Sequence, residues 1–214
     1  LEARSLPALA VGGDFYDFLP LDPDRLAVAI GDVSGKGVPA ALFMAKLIGD
    51  LRIAGQKLGS PEAILGEVNL DLTVQTRRGM FVSSQYLVLN AATGEAQVAN
   101  GGHVPFLWYH GQAGEVEVVD LEGGPPLGIL PDAAYPATAL ALEPGDSLFL
   151  LTDGVLECTN GVGETFGFPR LVETVEVHGR NHPLLVQPIL DAVEAFTADG
   201  RRHDDLTLVQ VRWG

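Results

Sequence analysis

With 214 residues, 47% of them hydrophobic, the chain has the length of one ordinary domain and enough apolar mass for a sizeable core, which argues against intrinsic disorder. Acidic residues outnumber Lys and Arg by 28 to 13, a formal net charge of −15. No basic surplus exists to displace phosphate counterions, so nucleic acid is not an expected partner. No apolar stretch reaches the roughly 18 residues of a membrane helix, and membrane insertion is not expected. The start, Leu1-Glu-Ala-Arg-Ser5, lacks the basic and apolar regions of a signal peptide and reads as the cut end of a longer chain. The lone cysteine, Cys158, excludes an internal disulfide and fits a reducing cytoplasm.

Along the chain, Phe15 to Leu19 and Leu26 to Ile30 read as strands joined by the turn Pro20-Leu-Asp-Pro-Asp24. After the glycine-rich stretch from Gly31 to Gly37 comes a helix with Pro39 in its first turn. Ala40, Met44, Leu47, Leu51 and Ala54 recur there at helical spacing, and Phe43 widens the stripe. A second helix starts with Ser60 as cap and Pro61 at its first position, and buries Ile64, Val68 and Leu72. This helical pair is expected to run from Val38 to Arg78. Gln85 to Leu89 and Ala96 to Asn100 form a hairpin in which Gly94 supplies the tight turn. Phe106 to Tyr109 and Val116 to Leu121 flank a turn with Gly111 and Gly114. Gly123-Gly-Pro-Pro-Leu-Gly128 reads as a rigid loop, and Ser147 to Leu151 as a strongly apolar strand. A short helix over Arg170 to Val177, a longer one that begins near Pro188 and runs over Ile189 to Phe196, and a closing strand over Leu206 to Val211 complete the pattern. Strands with helices inserted in pairs predict an α+β layered sandwich in one domain.

Asp14, Asp32, Asp153 and Asp204 each stand where an apolar run breaks into a glycine or polar turn. A strand that ends in Asp sets its carboxylate at a sheet edge, where several strands converge. Carboxylates about 5 Å apart repel by roughly 3 kcal/mol each at an effective dielectric near 20. Hard divalent cations prefer such oxygens and offset the repulsion, so the pattern predicts a Mg²⁺ or Mn²⁺ site. Other residues have plainer readings beside the chemical one. Asp17 hydrogen-bonds the turn or, alternatively, contacts metal. Lys36 attracts a phosphate or is a solvated lysine at a helix start. His103 ties a loop to the backbone more often than such a residue donates a proton. Cys158 reads as a small buried hydrophobe.

Competing motifs fail on inspection. Gly31-x-x-x-Gly-Lys-Gly37 has neither the spacing nor the hydroxyl of a P-loop. Six positions after Cys158 stands Glu164, not the arginine of a cysteine-phosphatase loop. Asp22-Pro-Asp24 sits in a turn unlike the paired aspartates of haloacid-dehalogenase phosphatases. The chain has no Asp-x-His, which leaves a His/Asp metallophosphoesterase as a weak runner-up.

Gly12-Gly-Asp-Phe-Tyr-Asp17, Gly31-Asp-Val-Ser-Gly-Lys-Gly-Val-Pro-Ala-Ala41, Asn100-Gly-Gly-His103, Gly145-Asp146, Thr152-Asp-Gly154 and Asp204-Asp-Leu-Thr207 follow one another in order. Together they resemble the SpoIIE/RsbU branch of the protein phosphatase 2C-like metallophosphatases, from about Val11 to Val211. Asn-Gly-Gly-His stands where Asn-Ala-Gly-His is commoner, and Phe81-Val-Ser83 where Phe-Val-Thr is. The resemblance implies a four-layer αββα sandwich of two mainly antiparallel sheets, forming a single catalytic domain over residues 1–214, the C-terminal part of a longer signalling protein. It also implies two Mn²⁺ or Mg²⁺ ions. Asp32 would bridge them, the Val33 carbonyl would add a ligand, Asp153 and Asp204 would complete the set, and Asp14 would bind a metal or hold its water. Asp205 is not the family's ligand position.

The implied function is hydrolysis of phosphoserine or phosphothreonine by metal-activated water, without a phosphoenzyme. Bound cations would also invert, locally, the acidic field that repels a phosphorylated substrate. The implied substrate is a phosphorylated anti-sigma-factor antagonist of the STAS type. An upstream sensor or activator domain and a homodimer are further implied partners, acting through the helices after Asp32. The rival reading is a catalytically silent binding module of the same family.

Overall fold

The apolar runs on either side of the Pro20–Asp24 turn pair as the first hairpin of a sheet. The structure, a computed structural model, describes residues 1–75, 79–197 and 204–214. Its described residues divide into two compact units. One comprises Leu1–Ala8, Val104–Asp120 and Leu142–Gly214, and the other Leu9–His103 and Leu121–Ala141. No helix among the described residues is long and apolar enough to cross a membrane.

The second unit holds strands β2 (Asp14–Pro20), β3 (Arg25–Val33), β4 (Val82–Asn90), β5 (Glu95–Gly101) and β8 (Ala137–Ala141) in the order β2-β3-β4-β5-β8, all antiparallel. Helices α1 (Val38–Leu58) and α2 (Pro61–Gln75) cover one face. Pro39 opens α1, and Gly59, left-handed at φ 73°, ends it. Leu47, Leu51, Ile64, Val68 and Leu72 are buried against Phe15, Ala27, Ala29 and Tyr86 of the sheet. Each such side chain contributes about 1.5–3 kcal/mol. Gly55 lets α1 approach the sheet, since a Cβ there would lie 2.5 Å from the Tyr86 hydroxyl. Met44 is only partly buried. The expected end of the helical pair, Thr76 to Arg78, lies outside the described residues.

The loop from Gly123 to Gly128 is fastened at both ends. Gly124 bridges Gly101, and Leu127 exchanges two backbone hydrogen bonds with Val82. From α2, the buried Asn69 accepts from Gly128 N–H and donates to the carbonyls of Leu130 and Pro131.

The first unit holds β1 (Glu2–Leu6), β6 (Phe106–His110), β7 (Glu115–Val119), β9 (Ser147–Leu151) and β10 (Leu206–Arg212) in the order β1-β10-β9-β6-β7, again antiparallel. Helices α3 (Asp153–Glu157), α4 (Gly167–Gly179) and α5 (Val186–Phe196) bury Leu171, Val175, Ile189 and Val193 against Leu107, Phe149, Leu151 and Leu208. Strands β1 and β8 and helix α3 were not expected. β8 reads Ala-Thr-Ala-Leu-Ala, with little of the β-branched and aromatic content that marks strands. Helix α4 is longer than Arg170 to Val177, and Leu121 lies beyond β7.

Asp146 of the Gly145-Asp146 motif is 2% exposed and fastens two turns of this unit. Its carboxylate accepts from Trp108 Nε1 at 3.0 Å, Gly111 N at 2.8 Å and Glu143 N at 3.0 Å. Asn at this position retains one acceptor oxygen and turns an amide against a donor. Asp146→Asn is therefore expected to lower the stability measured by urea unfolding by about 3 kcal/mol. A change below about 0.5 kcal/mol would show that these bonds are not structural.

Candidate metal centre

Two carboxylates face each other across a strand pair. Asp14 opens β2 and Asp32 lies one residue from the end of β3, and the antiparallel register makes them direct partners. Directly opposed side chains share one face with Cβ atoms about 5 Å apart, and like charges in such a pair are destabilising. Asp14 is also 8% exposed, so little water screens it.

The backbone beside the pair carries the third oxygen. Val33 N–H donates to the Gly13 carbonyl at 3.3 Å. A Cβ built on Gly13 would lie 2.8 Å from the Val33 carbonyl oxygen and 3.0 Å from Asp32 Oδ1. Only a glycine leaves room for both oxygens there. Carboxylates with a backbone carbonyl form an all-oxygen donor set, which suits a hard divalent cation and fits the expected Mg²⁺ or Mn²⁺. Ser34, next in the chain, closes the turn onto Phe81 by giving its N–H to the Phe81 carbonyl and accepting from Phe81 N at its hydroxyl.

The other two expected ligands belong to the first unit. Asp153 begins α3 directly after β9, and Asp204 stands just ahead of β10. The strand ends that carry them are locked together. Thr152 N–H donates to the Thr207 carbonyl, and Thr207 N–H returns a bond to Thr152 Oγ1, both at 3.0 Å. A Cβ on Gly154 would meet the Asp205 carbonyl at 1.8 Å, so the Thr-Asp-Gly motif needs its glycine for close approach. Asp205 accepts from Ala8 N at 2.8 Å, a structural tie consistent with Asp204 as the ligand position. His203 lies outside the described residues. Within either unit, among the described residues, no three acidic, histidine or cysteine side chains gather closely enough to hold an ion by themselves.

The remaining candidates have structural partners. Asp17 neither caps the turn nor joins Asp14. It pairs with Arg52 of α1 through Nε and Nη2, both at 2.6 Å, which holds the helix to β2. That partner is distant in sequence and invisible to motif reading. Lys36 is exposed in the loop before α1. Cys158 is half-buried rather than buried, and its thiol donates to the Gly154 carbonyl. The backbone of His103 is held by the Asn100 side chain, and its ring bonds the side chain of Ser83 on β4, a residue noted in the sequence only as a variant of a motif.

The Stage II sporulation protein E (SpoIIE) family model matches residues 22–214. The chain belongs to the SpoIIE family. Asp32, Val33, Asp153 and Asp204 fall inside the matched span, and Asp14 precedes it. The chain is 32% identical over 213 residues to phosphoserine phosphatase RsbU of Bacillus subtilis, covering 98% of this chain and 62% of that protein. It spans less than two thirds of the curated relatives RsbU and IcfG. Among solved structures, the RsbU and RsbW domains of a Mycobacterium tuberculosis protein align with a TM-score of 0.83 at 26% identity, over 97% of this chain and 58% of that one. The SiaA PP2C domain of Pseudomonas aeruginosa aligns with a TM-score of 0.86 at 23% identity, over 99% and 85%. The chain thus has the α+β fold of PP2C-type phosphatase domains, as its motifs lead one to expect.

In metal-free buffer, Asp32→Asn removes the cross-strand repulsion and is expected to raise stability by about 0.5–1 kcal/mol. With Mn²⁺ a hundredfold above its Kd, the wild-type chain should gain about 2.7 kcal/mol and the variant almost nothing. Thermal unfolding with and without Mn²⁺ checks both. Equal manganese stabilisation of the two proteins would remove Asp32 from the site.

Proposed function

We propose that this SpoIIE-family chain is a metal-dependent protein serine/threonine phosphatase. The observation that carries the reading is the register-paired Asp14 and Asp32 beside the Val33 carbonyl and the bare Cα of Gly13. Similarity to phosphoserine phosphatase RsbU over nearly the whole chain supports it.

Asp14, Asp32, the Val33 carbonyl, Asp153 and Asp204 are the residues that would hold two Mn²⁺ or Mg²⁺ ions. When bound, the ions supply Lewis acidity that brings the pKa of water toward neutrality and offsets charge on a phosphoryl group. The residues fix the donors on rigid elements: β2 and β3 carry Asp14 and Asp32, and the β9–α3 junction and the start of β10 carry Asp153 and Asp204. Gly13 keeps the space beside Asp32 and Val33 open.

The substrate is phosphoserine or phosphothreonine on a small bacterial regulatory protein, an anti-sigma-factor antagonist of the STAS type. The M. tuberculosis structure that pairs an RsbU domain with an RsbW domain in one protein is consistent with such a partner-switching setting. The chain acts in the cytoplasm as the catalytic part of a longer signalling protein. An upstream sensor or activator works through α1 and α2, whose first turn reaches the cradle: Ala40 Cβ would lie 3.6 Å from a Cβ on Gly13. Exposed Leu42, Ile53, Leu70 and Val74 on these helices fit contact with an activator domain or a second copy.

Hydrolysis of p-nitrophenyl phosphate and of a phosphoserine peptide is expected with Mn²⁺ and should stop with chelator. Asp153→Asn should lower kcat about a thousandfold, near 4 kcal/mol of barrier, without unfolding the chain. Chelator-resistant turnover, or wild-type rates in the variant, would contradict the proposal. Manganese binding without hydrolysis, with activator supplied, would favour the silent binding module.

A further inference from the structure

The row of side chains begun by Asp14 and Asp32 continues one strand further. Ser83 on β4 is the register partner of Asp32, so the Ser83 side chain stands beside the carboxylate on the same face. The Ser83 hydroxyl lies 2.9 Å from Nδ1 of His103. His103 is 7% exposed, and the Asn100 side chain clamps its backbone on both sides. The His103 N–H donates to Asn100 Oδ1 at 2.8 Å, and its carbonyl accepts from Asn100 Nδ2 at 3.1 Å. Between them, Gly102 has φ 66° and lies so near Pro126 that a Cβ would sit 2.6 Å from the ring.

The two Asn100 bonds already close the turn. The ring bond to Ser83 therefore does something else: it ties a rigidly held imidazole to the residue beside Asp32. A serine hydroxyl donates one hydrogen bond and accepts others. If His103 Nδ1–H donates to Ser83 Oγ, the Ser83 O–H is released to donate toward the Asp32 carboxylate. Outer partners of this kind hold a ligating carboxylate in one orientation, and their loss typically weakens metal binding 10–100-fold.

Resting on the metal-dependent reading above, we propose that Ser83 and His103 are positioning residues for the cation site, joined in the order His103 Nδ1–H, Ser83 hydroxyl, Asp32 carboxylate. The pair sets the affinity of the site for its ion and touches neither the ion nor the substrate.

The test is calorimetric titration of the chain with Mn²⁺, with thermal unfolding in metal-free buffer as the control for folding. Ser83→Ala is expected to raise the Mn²⁺ Kd about tenfold, and Ser83→Thr, which keeps the hydroxyl, to stay within about threefold of wild type. His103→Ala should match Ser83→Ala. The double variant should be no worse than either single one, because both remove the same connection. In the wild-type chain loaded with Mg²⁺, ¹⁵N resonances should show the His103 proton on Nδ1. This measurement decides alone if the alanine variants fail to fold. Wild-type affinity in Ser83→Ala, failure of threonine to rescue, additive losses, or a proton on Nε2 with Nδ1 bare would overturn the assignment. A wild-type chain that takes up no Mn²⁺ defeats the metal reading itself. One that binds Mn²⁺ as tightly as its variants do defeats only the Ser83–His103 assignment.

Discussion

Two negative charges held opposite each other by strand register are the constraint around which this molecule is arranged. The β2–β3 ladder pairs Asp14 with Asp32 and cannot separate them without slipping. A slip of one residue would turn every side chain of β2 to the other face, taking Phe15 out of the core under α1. The hydrophobic effect thus holds the strands in a register that electrostatics alone would oppose. A cation bound as proposed would offset that opposition.

The surroundings show the same division of labour. Ser34 and Phe81 bond one another twice, and Val82 and Leu127 do so again, so the segment after Asp32 is anchored to the neighbouring strand and loop. Asn69 carries the anchoring on into α2. Arg52 grips Asp17 three residues along β2 from Asp14. Glycines stand where backbone must approach oxygen, at Gly13 beside Val33 and at Gly154 beside Asp205. In the first unit, Asp146 shows that an aspartate in a family motif need not be a ligand. Three donors surround it, and its task is to hold turns.

Much of this was legible in the sequence because it is local. Apolar runs either side of a turn marked β2 and β3, helical spacing marked the buried stripe of α1 and α2, and Gly94 marked its hairpin. The acids were conspicuous because each interrupts an apolar run. What stayed hidden depends on pairing between distant segments. β1 is a strand because β10 offers it a partner, and β8 because β5 does; neither has a strong pattern of its own. The partner of Asp17 lies 35 residues away on another element. The neighbourhood of Ser83 follows from the β3–β4 register, which no motif encodes. Cys158, read as a small buried hydrophobe, is half-buried and bonds the Gly154 carbonyl of α3.

Anomalous diffraction at the manganese edge, from crystals of this chain grown with Mn²⁺, bears most directly on whether the paired carboxylates form a cation site. The account requires an anomalous peak in contact with Asp14 or Asp32 and with the Val33 carbonyl oxygen. Manganese bound only by other acids, with the Asp14–Asp32 pair bare in fully loaded crystals, would contradict it.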